Sequence, residues 1–270
     1  MPPVPDTTLE IEYMTWTDVR DRIEEGYRTA VFAVGATEQH GPHLPIATDA
    51  IQGWATASGV ARKLGKTLVA PTIRPGLSPH HMDFPGTLTL RHETLANLII
   101  DYCTSLAAHG FTTVVVISAH GGNHDSVRIA CREARDRVPD TTRIVPITEL
   151  LAYSTDPLAP KDPRDVGYHA DRGETSRMLH LAPDLVHMER ARDWTNPFSP
   201  NEREVGPLLA QASTRHFAPD GTMGLPSSAS AELGRQILER RVDSIAKQVR
   251  TFLAHIDRRD VRQPSGAEPL

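Results

Sequence analysis

The sequence predicts an α/β fold in which helices cover a mostly parallel central sheet. Short runs rich in Val, Ile and Thr alternate with longer segments of helical periodicity, a pattern typical of parallel strands joined by helices. The run at residues 112–118 is apolar without alternation, which indicates a strand buried on both faces. We expect a single domain over the 270 residues, with a core at about 28–256 and frayed ends.

Four strands are predicted, at residues 30–34, 67–70, 112–118 and 143–148. The first ends at Gly35 and the second at Pro71, two residue types that interrupt strands. Because the third is the most apolar, it is expected at the centre of the sheet.

Helices are predicted at residues 51–64, 93–109, 174–181 and 231–256. The first two stop at Gly65 and Gly110, as helices with glycine C-caps do. The last has an apolar stripe opposite a basic face that should be solvated. Residues 154–168 and 194–227 are rich in Pro, Gly and Asn and are expected to be loops, the longer of which should contribute to a site or an interface.

Composition narrows the classes of partner. The chain has 29 Lys and Arg against 34 Asp and Glu, and a net charge of −5 disfavours binding to nucleic acid or anionic membranes. No apolar run approaches a membrane span of about 18 residues, and the first residues lack the features of a secretory signal. Two cysteines cannot form a disulfide framework. We therefore expect a cytoplasmic protein that acts on a small molecule.

The strongest local pattern follows the first predicted strand. Glu38, His40, His43 and Asp49 fall in one short segment at the carboxyl end of a strand, where open α/β sheets place their sites. In extended backbone Glu38 and His40 project to the same side. A metal site fits this pattern, and the alternative is a loop whose polar side chains only cap and solvate.

A second motif, Ser-Ala-His-Gly-Gly-Asn, follows the central strand. His120 at a strand exit suits a metal ligand, and Gly121 and Gly122 would let backbone N–H groups approach a ligand or an oxyanion. The alternative is a glycine-rich turn in which Asn123 or Asp125 caps the next helix. That alternative accounts for the glycines better than for the histidine.

A third motif contains His169 and, at the start of a predicted helix, Glu174; alone it fits an ordinary helix cap. Taken together, the three motifs supply two imidazoles and three carboxylates, a set that suits Zn, Mn or Fe, with zinc the first choice. Two divalent ions would balance three carboxylates and one bridging hydroxide, so two ions are predicted. The predicted ligands are Glu38, His40, Asp49, His120 and Glu174, with Asp49 as the bridge.

Residues 77–87 hold a fourth polar cluster. Ser78, His80, His81 and Phe84 are predicted to line a substrate wall, because consecutive side chains in an extended chain point in opposite directions. The sequence lacks the motifs of a serine-hydrolase elbow, a phosphate-binding loop and a dinucleotide turn. Cys103 and Cys131 are expected in helical segments rather than at strand exits, which disfavours a thiol nucleophile.

These motifs resemble the creatininase family of metal-dependent amidohydrolases. GATEQHGPHLPIATD, SAHGGN and HADRGETS are similar to its three site motifs, and FPGTLTL and LPSSASAELGR to further segments, over roughly residues 28 to 250. The resemblance implies a three-layer α/β/α fold, a dinuclear metal centre, hydrolysis of a carbon–nitrogen bond and a homohexamer. By position it implies that Glu38, His40, Asp49 and His120 bind metal, that Asp49 bridges, and that His169 is the catalytic histidine.

The chain also departs from creatininase proper. The second motif there is His-Tyr-Glu, whose glutamate is a ligand, whereas this chain has two glycines after His120. Glu174 is the expected substitute, as in the His-Gly-Gly-Asn branch, which includes formamide deformylases and the mycofactocin-system peptidase. Creatininase proper closes its pocket with tryptophans, and this chain has none between Glu149 and Glu174. Creatinine is therefore not the expected substrate.

The resulting hypothesis is hydrolysis of an amide, formamide or lactam. A hydroxide between the two ions attacks the carbonyl, and His169 protonates the leaving nitrogen. Gly121, Gly122 and Asn123 would contact the substrate, and His43 would orient a ligand or the loop. Open alternatives are a mycofactocin-type peptidase, creatininase proper, a mononuclear hydrolase or lyase, and a catalytically silent metal-binding scaffold.

Overall fold

The structure, a computed structural model, describes residues 6–148, 158, 167–194 and 212–260. Its sheet has four parallel strands in the order β2-β1-β3-β4. They are β1 (Thr29–Val34), β2 (Thr67–Val69), β3 (Thr113–Ser118) and β4 (Arg143–Ile147). Each lies within two residues of its predicted bounds, and β3 is central and wholly buried, as predicted.

Six helices surround the sheet in the described part of the chain. They are α1 (Trp16–Glu24), α2 (Thr48–Leu64), α3 (His92–Ala108), α4 (His124–Arg135), α5 (Arg172–Leu181) and α6 (Ala231–Asp260). None is long and apolar enough to cross a bilayer. The bounds of α1 were not predicted, although Thr15 and Asp18 form a capping box at its start that the sequence displays.

The core has one layer on each face of the sheet. Side chains of α3 and α4, with α1 at the edge, pack against one face, which presents residues such as Phe32 and Val116. Side chains of α2 and α6 pack against the other face, which presents Val31 and Val115. Because strand side chains alternate between faces, both faces of β1 and β3 are covered. The three-layer α/β/α fold is confirmed.

Two predictions about the helices need correction. The helix predicted from Glu174 begins at Arg172, because the side chain of Asp171 accepts a hydrogen bond from the Glu174 amide at 2.7 Å and serves as the N-cap. The basic face of α6 is not wholly solvated, since Arg241 is buried. Of the two predicted loops, residues 167–168 and 212–227 are among those described, together with Leu158; the other loop residues, apart from Trp194, lie outside the described residues.

Candidate metal centre

Segments at the carboxyl edge of the sheet bring four of the predicted ligands into one buried cluster. Glu38 and His40 follow β1, Asp49 lies in the first turn of α2, and His120 follows β3; all four are at most 7% exposed. The β1 loop can lie against α2 because Gly35 has no side chain: a Cβ there would be 2.8 Å from the Cα of Ala50.

Asp49 lies between two imidazoles, with one carboxylate oxygen facing each. Its Oδ1 is 3.4 Å from Nε2 of His40, and its Oδ2 is 3.3 Å from Nδ1 of His120. The second nitrogen of His120, Nε2, is 3.1 Å from Oε2 of Glu38. This placement suits a carboxylate shared by two ions.

Glu174 reaches the cluster from α5. Its Oε2 is 3.6 Å from Nε2 of His40 and accepts a hydrogen bond from the amide of Ala170 at 2.8 Å. That amide is placed by an unusual backbone: Ala170 has a φ of 49°, in the left-handed region. On the other side, Arg177 lies 3.7 Å from Oε1, and Gln52 donates to the Glu174 backbone oxygen at 3.2 Å.

The cluster has polar atoms that the protein leaves unsatisfied. Among the described residues, both carboxylate oxygens of Glu38, Nε2 of His40 and Oδ2 of Asp49 are buried without a hydrogen-bond partner. Ligand atoms of these three residues lie within 4.8 Å of one another. Buried polar groups are rarely left without partners unless an ion or a water completes them. The residues therefore fit a divalent cation.

One ring nitrogen of each imidazole is hydrogen-bonded to a backbone oxygen, which sets the tautomer of the neutral ring. Nδ1 of His40 donates to the backbone oxygen of Glu38 at 3.2 Å, and Nε2 of His120 donates to that of Leu77 at 2.9 Å. Metal-binding histidines commonly hold their second nitrogen this way. Once the rings are neutral, the nitrogens that keep a lone pair are Nε2 of His40 and Nδ1 of His120, which face Asp49.

The charges in the metal-free cluster compensate one another. Burial raises the pKa of Glu38 to about 7, although His120 opposes that shift. Burial lowers the pKa of His40 and His120, but the carboxylates around them more than offset this effect and raise the values to about 10 and about 9. Despite its burial, Asp49 has a pKa held below its usual range by the same two histidines. In the metal-free protein, the protons on His40 and His120 thus supply the positive charge that bound cations would supply.

His169 enters the cluster from the segment before α5. Its Nε2 donates to the backbone oxygen of Gln39 at 2.7 Å, which leaves Nδ1 3.7 Å from Oε1 of Glu38. Burial, together with the charge of His40, holds the pKa of His169 well below its usual value. The ring is therefore neutral, with a lone pair turned toward the cluster. It also lies within metal-binding reach of His40 and Glu174.

Comparison with known proteins identifies the family. The family model described as "Creatininase: Creatinine amidohydrolase" matches residues 12–249. The chain belongs to the creatininase family. Among curated proteins, it is 29% identical to a mycofactocin precursor peptide peptidase of Mycobacterium ulcerans, over 86% of this chain and 89% of that protein. It is 30% identical to the creatinine amidohydrolase of Pseudomonas putida, over 88% of this chain and 94% of that protein.

Solved creatininase structures share the fold. A mutant creatininase of Zn-Zn type has a TM-score of 0.74 at 30% identity and covers 90% of this chain and 97% of its own. A structure described as "Creatininase Mn" has a TM-score of 0.75 at 29% identity and covers 90% of this chain and 98% of its own. These creatininase-family structures are of zinc and manganese forms, in line with the metal-binding capacity of the cluster.

The predicted location of the His-His pair needs correction. The pair does not lie in an extended segment but in a short 3₁₀ helix, Pro79–His81, which turns both rings toward the cluster. Nε2 of His81 is 3.3 Å from Oε1 of Glu38, and His80 lies within metal-binding reach of Glu38 and His120. Both rings thus lie beside a predicted ligand, and the reason given for a substrate wall does not hold.

Gln39 is a site residue that the motif analysis missed. Its Oε1 accepts a hydrogen bond from the Gly41 amide at 2.8 Å, so its Nε2 faces Nδ1 of His81, also at 2.8 Å. The same Nε2 lies 3.3 Å from the backbone oxygen of Gly221, which has a φ of 86° and no room for a side chain beside Gln39. Gln39 therefore links the β1 loop to residues 212–227. In the sequence, the only sign of this role is that Gln39 lies between the predicted ligands Glu38 and His40.

Asn123 has a structural role in place of the predicted contact with substrate. Its side chain accepts from the Leu77 amide at 2.9 Å and donates to the backbone oxygens of Val34 and Gly35 at 3.2 and 2.8 Å. Nor does it cap α4. Gly122 is required by packing, because a Cβ there would be 2.3 Å from the backbone oxygen of Leu77. Gly121 is exposed with open space around it and stays available to a substrate.

The other predicted site residues lie at varied distances from the cluster. Ser78 is buried close to Glu38, where it lowers the carboxyl pKa without reaching good hydrogen-bond geometry. His43 is hydrogen-bonded to Thr175 at 2.9 Å, next to Glu174. Phe84 is farther out and has the guanidinium of Arg215 over its ring at 5.4 Å. His43 thus contacts the helix that carries Glu174, and its role in orienting a ligand or the loop stays a prediction.

The cysteines lie away from the site chemistry. Cys103 and Cys131 are buried in α3 and α4, within the core on one face of the sheet. Burial raises the pKa of Cys103 to about 12 and that of Cys131 well above its usual value. Neither is a thiolate at neutral pH, in line with the expectation that no thiol nucleophile operates.

Proposed function

We propose that this chain is a metal-dependent hydrolase that cleaves a carbon–nitrogen bond, in an amide, formamide or lactam, of a small molecule. The observation that carries the proposal is the set of buried, unpartnered ligand atoms on Glu38, His40 and Asp49. Membership in the creatininase family supports the reaction class. Two divalent ions are the expected load, with zinc the first choice and manganese or iron the alternatives.

In the proposed site, Glu38 and His120 would hold one ion, His40 and Glu174 would hold the other, and Asp49 would serve both. When bound, such ions polarise a carbonyl and supply an activated water at neutral pH. Burial of the ligands excludes bulk water, and the tautomers set by Glu38 and Leu77 aim the correct nitrogens inward.

His169 moves the proton in this proposal. Its Nε2–H is held by Gln39, so its Nδ1 is the atom that accepts a proton from the attacking water and returns it to the leaving nitrogen. A neutral imidazole with a lone pair facing the reacting centre is what this role requires. Water adds to the carbonyl carbon, the carbon–nitrogen bond breaks, and the products are a carboxylic acid and an amine.

A peptidase is the second candidate function. The mycofactocin precursor peptide peptidases match more than four-fifths of this chain at 29–30% identity, and the chain carries the His-Gly-Gly-Asn segment in place of the creatininase His-Tyr-Glu. Turnover of small lactams or formamides without peptides would favour the first candidate, and the reverse would favour the peptidase.

The test is a substrate panel read by mass spectrometry. Metal-free protein is reconstituted separately with Zn, Mn and Fe, the bound metal is counted, and creatinine, N-formyl aminopyrimidines, small lactams and C-terminal peptides are offered. We expect about two ions per chain and hydrolysis of one class. Full activity with one ion would overturn the shared-carboxylate site. Two ions without turnover of any substrate would indicate the catalytically silent scaffold.

We also propose a single domain, a homohexamer and a cytoplasmic location. One cooperative transition in calorimetry, a hexamer mass in light scattering, and recovery in the cytoplasmic fraction are the expected results. Two transitions, a smaller mass or recovery elsewhere would contradict the respective proposal.

A further inference from the structure

The proposed function leaves the metal-capable pair His80 and His81 unused. A ring nitrogen of His80 lies within 4.8 Å of a Glu38 oxygen and of a His120 nitrogen, and these two are mutually within the same distance. Donor atoms that surround one ion at about 2.1 Å are separated by roughly 3–4 Å. A small adjustment of the His80 side chain would therefore place its nitrogen on the ion held by Glu38 and His120.

The separation of the His80 and His120 rings is close to that expected for a shared ion, and their stacked planes mean that the His80 ring must rotate to aim its lone pair there. The rings of His80 and His120 are nearly parallel, with an interplanar angle of 6° and centroids 5.7 Å apart. Two imidazoles bound to one ion at about 2.1 Å in a tetrahedral arrangement have centroids roughly 5 Å apart. The two rings are thus slightly farther apart than a common ion would hold them.

The neighbouring histidine is engaged differently. Nδ1 of His81 accepts a hydrogen bond from Gln39, so its proton is on Nε2, which points at Glu38. His81 therefore acts as a donor to a ligand. The ring nitrogens of His80, by contrast, make no hydrogen bond to any residue that the structure describes. Of the adjacent pair, His80 is the one with a free lone pair for an ion.

We propose that His80 is an additional ligand of the ion held by Glu38, Asp49 and His120. The two ions then become unequal. The first has four protein ligands, as structural zinc sites do, whereas the ion at His40, Asp49 and Glu174 has three and keeps an open position, as catalytic sites do. The first ion is the tightly held one, and the second is where the substrate carbonyl binds.

The experiment compares metal affinity in the full-length wild-type protein and in His80→Asn, with His187→Asn as the control. The side chain of His187 is half exposed and pairs with Glu189, which is not one of the proposed ligands. Zinc affinity is measured by competition with a chromophoric chelator. We expect two unequal affinities in the wild type and in the control, and a loss of about 10–100-fold at the tighter position in His80→Asn.

A second measurement needs no variant. Cadmium-loaded wild-type protein, labelled with ¹⁵N-histidine, is examined by ¹¹³Cd NMR for couplings to ring nitrogens. We expect two coupled nitrogens on one cadmium resonance and one on the other. Two bound ions with one nitrogen each, or unchanged affinities in His80→Asn, would overturn the role of His80 while the proposed function stands. A wild type that binds no ion would overturn both.

Discussion

His169 donates a hydrogen bond from Nε2 to the backbone oxygen of Gln39 at 2.7 Å, and this contact fixes which nitrogen faces the metal centre. Nδ1 is left 3.7 Å from Glu38. The histidine that the family resemblance assigns to catalysis thus lies beside the cluster, where the proposed reaction needs a proton acceptor. The same nitrogen is close enough to the cluster to bind metal, so the two roles require separation by experiment.

Replacement of His169 by Ala separates them. We expect the variant to keep its metal and to lose about 10²- to 10⁴-fold in turnover, because general acid–base catalysis contributes that range. Turnover is measured on the substrate identified by the panel, and metal is counted by mass spectrometry on the same sample. A loss of one ion would instead assign His169 as a ligand.

Glu174→Gln is expected to lose the ion held with His40, because a neutral amide is a poor substitute for a carboxylate ligand. The matched control is Asp171→Asn, which changes the residue that caps the same helix. Asparagine caps helices nearly as well as aspartate, so the control should keep both ions. If Glu174→Gln also keeps both, Glu174 has only a role at the start of α5.

Asn123→Ala is expected to destabilise the fold rather than to change substrate affinity. The substitution removes one acceptor and two donors that join the segments after β1, β2 and β3. Loss of such buried hydrogen bonds should lower the free energy of unfolding by about 2–4 kcal/mol. Denaturant titration of the metal-free protein measures it. An unchanged midpoint with a raised KM would restore the substrate contact predicted from the sequence.

Metal loading should release protons. In the metal-free protein the pKa values of His40 and His120 are raised to about 10 and about 9, so both rings are charged at pH 7. Since an ion requires neutral imidazoles, about one proton should leave each ring, and apparent affinity should rise with pH between 6 and 9. Titration calorimetry in two buffers of different ionisation enthalpy measures the number of protons released per ion bound. Affinity that is independent of pH would contradict these protonation states.

The same shifts determine the stability of the metal-free protein. Both histidines have folded pKa values above their unfolded value of about 6.5. Their stabilising effect is therefore complete below that pH and is lost as pH rises through about 9 to 10. Urea midpoints of the chelator-treated protein should fall over this range, whereas those of the metal-loaded protein should fall less.

The sheet and most of the cluster could be predicted because their signals are local. An unbroken apolar run identified β3, and polar residues directly after β1 and β3 meet at one edge of a parallel sheet whatever the details of the loops. Glu38 and His120 come together for this reason. Glu174 required the family resemblance, since nothing in its own segment distinguishes a ligand from a cap.

The parts that could not be predicted depend on backbone geometry. His80 and His81 were assigned opposite directions by the rule for extended chain, and a single 3₁₀ turn turned both rings inward. The role of Gln39 requires the approach of Gly221, from a loop far along the chain. The left-handed backbone at Ala170 has no sequence signature, because alanine rarely adopts it.

Glu174 joins the cluster from a helix that follows all four described strands in sequence, whereas the residues proposed to hold the other ion all precede β4. During synthesis, the chain up to β4 therefore already contains every proposed ligand of the first ion and an incomplete set for the second. The second ion can therefore bind fully only after the segment that carries Glu174 has packed against the rest of the protein. In the proposed site, catalytic competence and completion of the fold are one event.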